Sequence, residues 1–490
     1  MADCILSIDQ GTTSSRTLVV GADGAVLHSA QEAFAQHYPA DGWVEHDPRD
    51  IRATVMRTLE SCRAWCAANG HAPRAIGITN QRETTLVWDR ETGEPVYNAI
   101  VWQDRRTAAT CRELAERLPE AELHAKTGLL HDPYFSATKI AWILENVDGA
   151  RARAESGALC FGTVDSFLVW TLTGGAVHAT DATNASRTNL YNIRDGAWDS
   201  ELLSLFGVPN AGLPEVRDCA GDFGSWEGIP IRGVAGDQQA AAIGQFCLEP
   251  GDIKSTYGTG CFVLLNTGAE APTSDNRLLA TVAYQLDGKR TYALEGSIFI
   301  AGAGVQWLRD EMHLVEHASD TEAICEALDG NAGVYVVPAF TGLGAPYWEP
   351  DARGAVFGLT RGTGREHVVR ATVEAVAYQT RDLLDAMARD GVAPESLKVD
   401  GGMVANSWMV QHLADVLDLP VERPKILETT AMGAAFLAMV GCGMAERLED
   451  LRGLWRRDRL FSPAMEAAHR NALLEGWEAC VKRLLPRAGG

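Results

Sequence analysis

Gly236-Asp237-Gln238-Gln239 places one carboxylate behind a glycine at the end of the strand-like stretch Ile231 to Ala235. A carboxylate so placed can orient and deprotonate a hydroxyl nucleophile. Loops of small residues lie on either side in the chain. Gly11-Thr12-Thr13-Ser14 follows Asp9 and precedes Arg16, Gly258-Thr259-Gly260 comes next, and Asp400-Gly401-Gly402 much later. Such loops offer backbone N–H groups and hydroxyls without bulk, which suits phosphate oxygens. Arg16 adds a fixed cation. Asp9 ends a buried strand and is a candidate, with Asp237, to hold Mg2+ through water, since hard cations prefer oxygen ligands. Each loop alone reads as an ordinary turn, and Asp237 alone reads as the cap of a helix starting at Gln238. Together they suggest a nucleotide held between two lobes and a phosphoryl group passed to a small alcohol.

A second set of residues suits the alcohol. Arg82-Glu83 lies just past the apolar run Ala75 to Ile78. A polyol needs donors and acceptors, and this pair supplies both. Trp102 and Tyr134 can wall its carbon backbone. Taken singly, the charged pair would be a surface ion pair of little worth, and the aromatics would be core.

The elements that must position these residues are legible. Ile5 to Asp9 and Thr17 to Val20 read as strands, with a hairpin signal at Asp23-Gly24. The Gly11 to Arg16 turn therefore joins two antiparallel strands, where a P-loop would open into a helix, and it lacks the lysine ending of that motif. Asp47-Pro48 starts a helix carrying Ile51, Val55, Leu59, Cys62 and Cys66 on one face, ended by Gly70. Ile253 to Tyr257 and Leu397 to Asp400 read as strands opening onto glycine turns, and Glu366 to Ala388 as a long helix. Strands alternating with helices indicate an α/β fold, in which ligands gather at the strand ends. The strand–glycine-turn–strand unit recurs near the start of each half. We place the boundary at Glu249-Pro250-Gly251, giving domains 1–249 and 250–490.

Composition narrows the class. The 490 residues exceed one ordinary core. A formal net charge of -22, without any block of lysine or arginine, argues against a nucleic-acid or anionic-membrane surface. No apolar stretch approaches a membrane span, and the first residues lack the pattern of a signal peptide. Eleven cysteines without CxxC pairs fit reduced thiols in a cytoplasmic enzyme.

These residues resemble the FGGY carbohydrate kinases, on the glycerol-phosphorylating side of that family. The likeness rests on Asp9 to Arg16, Asn80 to Thr84, Val101 to Arg106, Gly236 to Gln239 and Tyr257 to Phe262. Two longer signatures run from Tyr134 to Trp142 and from Gly342 to Trp348, the latter continuing to Arg361. The resemblance implies two domains of the actin/hexokinase/Hsp70 ATPase type (ribonuclease H-like), with the site in the cleft between them. It implies ATP-dependent phosphorylation of glycerol with Mg2+, and a homo-oligomer, dimer or tetramer. It assigns Arg82, Glu83, Tyr134, Asp237 and Gln238 to the glycerol hydroxyls, and Trp102 and Phe262 to its carbons. Thr12, Thr13, Ser14, Arg16 and Thr259 would meet the phosphates. Gly302, Gln306, Gly402 and Asn406 would line the nucleotide. Asp237 would be the general base.

One segment departs from regulated members, whose loop ahead of the catalytic acid carries glycines and arginine for fructose bisphosphate. Here Gly221 to Gly228 is acidic, and no histidine lies between His178 and His313 to accept a regulatory phosphate. Neither control is expected. Two other readings stay open: an FGGY kinase for xylulose or gluconate, and an actin-like ATPase without an acceptor pocket.

Overall fold

The computed structural model describes residues 1–349 and 351–485. The first sheet contains β1 (Ala2–Gln10), β2 (Ser14–Gly21), β3 (Val26–Ala33), β4 (His71–Asn80), β5 (Ser225–Trp226) and β6 (Ile229–Gly236), in the order β5-β6-β4-β1-β2-β3. β1 and β2 are antiparallel, with Asp9 opposite Arg16, as the turn between them requires. β4 runs parallel to both β1 and β6. The register pairs Gln10 with Asn80, and Asn80 with Gly236. Three carboxyl ends therefore finish level, which brings the loop after Gln10, the Arg82-Glu83 pair and Asp237 to one edge.

The second sheet contains β7 (Ile253–Tyr257), β8 (Cys261–Gly268), β9 (Leu279–Leu286), β10 (Lys289–Ile298), β11 (Leu397–Asp400), β12 (Val421–Pro424) and β13 (Arg457–Phe461), in the order β9-β10-β8-β7-β11-β12-β13. β7 and β8 form an antiparallel pair around Gly258-Thr259-Gly260. β7 and β11 are parallel, with Thr256 opposite Asp400, so Gly258 and Gly401 leave the sheet side by side. Gly401 has φ +91°, and a Cβ there would lie 2.5 Å from the Tyr257 carbonyl oxygen. Only glycine fits such a backbone approach.

Helices cover both sheets. α1 (Pro48–Ala68) is capped by the Asp47 side chain, which accepts from the Arg49 N–H, and it buries Ile51, Val55, Leu59, Cys62 and Cys66. α2 (Ser136–Asn146), α3 (Asp237–Gly244), α4 (Gly302–Asp310), α5 (Arg365–Arg389) and α6 (Ser407–Leu417) follow. α7 (Thr429–Gly441) belongs to the second half of the chain yet packs on the first sheet. Its Ala431, Ala435 and Phe436 share a core with Ile5, Ala75, Ala235 and Ile243. The contact is close enough to demand glycine on both sides. A Cβ at Gly77 would lie 2.2 Å from the Ala434 carbonyl oxygen, and one at Gly433 would lie 1.8 Å from that of Ala240. Among the described residues no helix is long and apolar enough to cross a membrane.

Candidate active site

The level strand ends of the first sheet and the glycine turn of the second enclose a cavity of about 130 Å3. Thr12, Arg82, Glu83, Trp102, Tyr134, Asp237, Gln238, Thr259 and Phe262 all face it, as do Thr256, Gly258 and Gly260. Residues far apart in sequence thus form one pocket.

Its apolar wall is aromatic. The Trp102 ring centroid lies 5.8 Å from that of Tyr134 and 5.8 Å from that of Phe262, both edge-on. The Trp102 Nε1–H donates to the Thr12 hydroxyl at 3.0 Å, which ties the wall to the first loop.

Its polar wall centres on Arg82, which is 2% exposed. A surface ion pair with Glu83 is therefore not what forms. The closest approach between these two side chains is 3.9 Å, and each has a better partner elsewhere. Arg82 Nε faces Asp237 Oδ1 at 3.2 Å. Arg82 Nη1 and Nη2 both donate to Glu295, and Nη2 also donates to the Tyr134 hydroxyl at 3.3 Å. Gly236 makes room for this arrangement, since a Cβ there would lie 2.8 Å from the Arg82 side chain. Glu83 Oε1 accepts from Arg187 Nε at 2.5 Å. Its backbone is left-handed, with φ +58°, a conformation that non-glycine residues hold only when their surroundings enforce it. The Glu83 carbonyl oxygen accepts from Thr85 Oγ1 at 2.9 Å, Ser136 Oγ at 3.1 Å and Lys139 Nζ at 3.3 Å.

Asp237 is the first residue of α3, with Gly236 at the cap position. Its carboxylate accepts from the Gln238 N–H at 2.7 Å and does not cap the helix in the usual way, which corrects the capping expectation. The side chain keeps 29% exposure. Burial raises its pKa, against the pull of Arg82 and Lys254. A carboxylate held above its ordinary range is a stronger base. Gln238 Oε1 accepts from Lys254 Nζ, so this side chain is fixed from the second sheet.

The remaining expected residues do not line this cavity. Ser14 Oγ accepts from Gln31 Nε2 at 2.9 Å, and Thr13 is exposed. Arg16 is paired with Glu428, next to α7, so its charge is shared with a carboxylate. The Gly302 N–H donates to the Gly258 carbonyl at 2.9 Å, and a Cβ at Gly302 would lie 2.5 Å from that oxygen. Gln306 is exposed on α4. At Gly402 nothing lies within 4 Å of an added Cβ, so the tight position of that turn is Gly401. Asn406 caps α6 by accepting from the Met409 N–H at 2.8 Å. Burial pushes the Asp9 pKa up to about 7, with Arg16 opposing and Glu428 and Asp237 adding to the rise. Among the described residues no cluster of three or more His, Cys, Asp or Glu forms a metal cage.

Arg187, Glu295, Lys254 and Lys139 are the site residues that sequence reasoning missed. Glu295 had a readable signal, a charge among the apolar and small residues of a strand, and Lys254 a weaker one, a charge in a strand of otherwise uncharged residues. Lys139 is similar within α2. Arg187 had none.

The FGGY family of carbohydrate kinases matches through its N-terminal domain over residues 4–244 and its C-terminal domain over residues 253–442. The chain is 60% identical to a glycerol kinase of Rhodospirillum centenum, over 98% of each chain. It is 57% identical to a glycerol kinase of Rhizobium rhizogenes, over 99% of each. The crystal structure of Plasmodium falciparum glycerol kinase with ADP superposes with a TM-score of 0.92 at 36% identity, covering 99% of each chain. A xylulose kinase of Lactobacillus acidophilus shares the fold, with a TM-score of 0.85 at 20% identity, covering 98% of each chain.

Proposed function

From the membership of this chain in the FGGY family of carbohydrate kinases, we propose that it transfers the γ-phosphoryl group of ATP to glycerol, forming sn-glycerol 3-phosphate. The observation that carries the acceptor is the cavity. At about 130 Å3 it is well below the about 300–1,000 Å3 of sites for larger ligands, and it pairs one aromatic wall with one charged wall. That suits a short chain with a hydroxyl on every carbon. Kinases for xylulose and gluconate share the fold, so the acceptor is tested directly.

The family pattern assigns the roles, and the pocket lining supports the acceptor set. Arg82 and the Tyr134 hydroxyl offer hydrogen bonds to glycerol oxygens, and Glu83 and Asp237 accept them. Trp102 and Phe262 cover the carbons. Gln238 completes the polar wall. Asp237 takes the proton of the attacking hydroxyl, and its raised pKa matches that task. Thr12, Thr13, Ser14 and Arg16 from one lobe and Thr259 from the other hold the phosphates. Gly302, Gln306, Gly402 and Asn406 line the nucleoside side. Asp9 and Asp237 are the carboxylates that would hold Mg2+ through water. Burial is the main cause of the raised Asp9 pKa, and Asp237 adds to the rise; a magnesium ion that keeps most of its waters needs only one or two carboxylates. When bound, the ion neutralises charge on the phosphate oxygens. The eleven cysteines are all free, which supports a cytoplasmic place for the enzyme. A homo-oligomer, dimer or tetramer, is part of this reading, and sedimentation of the purified protein tests it.

A coupled ADP-release assay with glycerol, xylulose, gluconate or no acceptor tests the function. Turnover should depend on glycerol. Release driven by xylulose or gluconate, or equal release with no acceptor, would replace this reading.

A further inference from the structure

Glu295 is fully buried on β10 of the second sheet, and its carboxylate is shared by two arginines of the first domain. Arg82 donates to it through both Nη atoms, with Nη2 at 3.1 Å from Oε1. Arg187 donates to the same Oε1 through Nη2 at 2.8 Å, while its Nε holds Glu83 Oε1 at 2.5 Å. Arg187 is also fully buried, and its guanidinium lies 5.6 Å from the Tyr134 ring centroid. The chain Glu83–Arg187–Glu295–Arg82 thus runs unbroken behind the pocket, with its two ends 3.9 Å apart at closest approach. Two cations and two anions balance out of solvent, and buried charge persists only when paired in this way.

We propose that Arg187 and Glu295 are positioning residues for the acceptor. They act through Glu83 and Arg82 and build one glycerol-binding wall from both domains. Three features of the geometry support this. Glu83 has a left-handed backbone, so its side chain needs an anchor to stay aimed, and Arg187 is the ion-pair partner of Oε1. Arg82 has three carboxylates in reach, and bidentate binding by Glu295 fixes the plane of its fork. Glu295 comes from β10, whose neighbour β8 carries Phe262 of the aromatic wall, so β10 and β8 share the support of both walls. Opposed burial and attraction leave the Glu295 pKa drawn down to about 2 by Arg187 and Arg82, so it stays ionised at any working pH.

The inference rests on the glycerol reading above, and its test separates the two. Wild type, Glu295→Gln, Glu295→Asp, Arg187→Met and Arg187→Lys are compared by calorimetric titration with glycerol and, separately, with ATP. Steady-state kinetics and thermal unfolding accompany the titrations. Loss of a charge-assisted hydrogen bond corresponds to a weakening of about 10- to 100-fold. That loss is expected in glycerol Kd and KM for Glu295→Gln and Arg187→Met, with ATP binding unchanged. Glu295→Asp keeps the charge and should recover part of the glycerol affinity. Arg187→Lys keeps the charge but not the fork, and should bind ATP normally and glycerol poorly. If the neutral variants fail to fold, the two charge-keeping variants decide. Glycerol affinity at the wild-type value in the folded variants, or equal loss for ATP and glycerol, would overturn the proposal. If wild type ignores glycerol but uses another acceptor, the function reading fails and the same variants are measured on that acceptor. If it uses none, both fall.

Discussion

Asp237 carries the heaviest chemical demand of any residue here. It faces the cavity, lies 3.2 Å from Arg82 and has its pKa raised by burial. Asp237→Asn keeps the shape of the side chain and removes the proton acceptor. Turnover should fall by ~10²–10⁴-fold, the usual contribution of a positioned base. Binding of ATP without metal should hardly change, because the role proposed for Asp237 toward the nucleotide runs only through water on Mg2+. Single-turnover rates on purified protein check this, and a near-normal rate would remove Asp237 from the role. Arg82→Ala and Glu83→Ala act on binding. Each leaves buried partners unsatisfied, at a cost of ~1–3 kcal/mol or more where the group lost is charged. Isothermal titration should show glycerol affinity lost and ATP affinity kept. The reverse pattern would mean the pair serves the nucleotide.

Elements, and not single residues, set the contact between the halves. α7 lies on the first sheet with glycine at the closest points, and Gly433 has the Ala240 carbonyl where a Cβ would go. Gly433→Ala must push two backbones apart, and overpacking of this kind costs typically ~1–3 kcal/mol or more. Gly453, with open space around it and no positive φ, is the control, and Ala there should stay within ~0.5 kcal/mol. Urea unfolding of both variants reads the difference, and equal midpoints would show that the helix shifts at no cost. The Gly221 to Gly228 segment makes a separate prediction. Its arginine neighbours are already engaged: Arg232 with the Asp222 carboxylate, Arg217 with Glu215, and Arg63 with Glu227. A bisphosphate needs free forks and finds paired ones beside carboxylates. Fructose bisphosphate should leave glycerol phosphorylation unchanged across a physiological dose series. Saturable inhibition would show that another surface supplies the cations.

At the scale of the molecule, the cavity takes Thr12 from one lobe and Gly258, Thr259 and Gly260 from the other. The proposed function has both substrates meet between lobes that α7 and the buried charges bridge. Closure on the ternary complex would exclude water and limit wasteful hydrolysis of ATP. Small-angle scattering should give a smaller radius of gyration with glycerol plus a non-hydrolysable ATP analogue than with neither. An unchanged profile would favour a rigid cleft.

The local pieces are readable from the order of residues. Strand–glycine-turn–strand units, the capped helix after Asp47 and the long helix Arg365–Arg389 follow from periodicity and turn chemistry, which are local properties. Arg82, Glu83 and Asp237 stand out in the sequence because charges follow apolar strand ends, whereas Gln238 and Phe262 carry no such signal and are assigned only by the family resemblance. Tertiary structure alone decided how the charges are shared. Arg82 and Glu83 are neighbours in sequence, yet each is held by a residue more than a hundred positions away. Arg187 has no local pattern, so nothing short of the fold could bring it to Glu83. The position of Asp237 inside the first turn, with Gly236 as the cap, was also a matter of backbone geometry. So was the return of α7 to the first sheet, where glycines from distant segments meet backbone to backbone. Propensity acts over a few residues, whereas buried charge and close packing are settled by whatever the whole chain brings into contact.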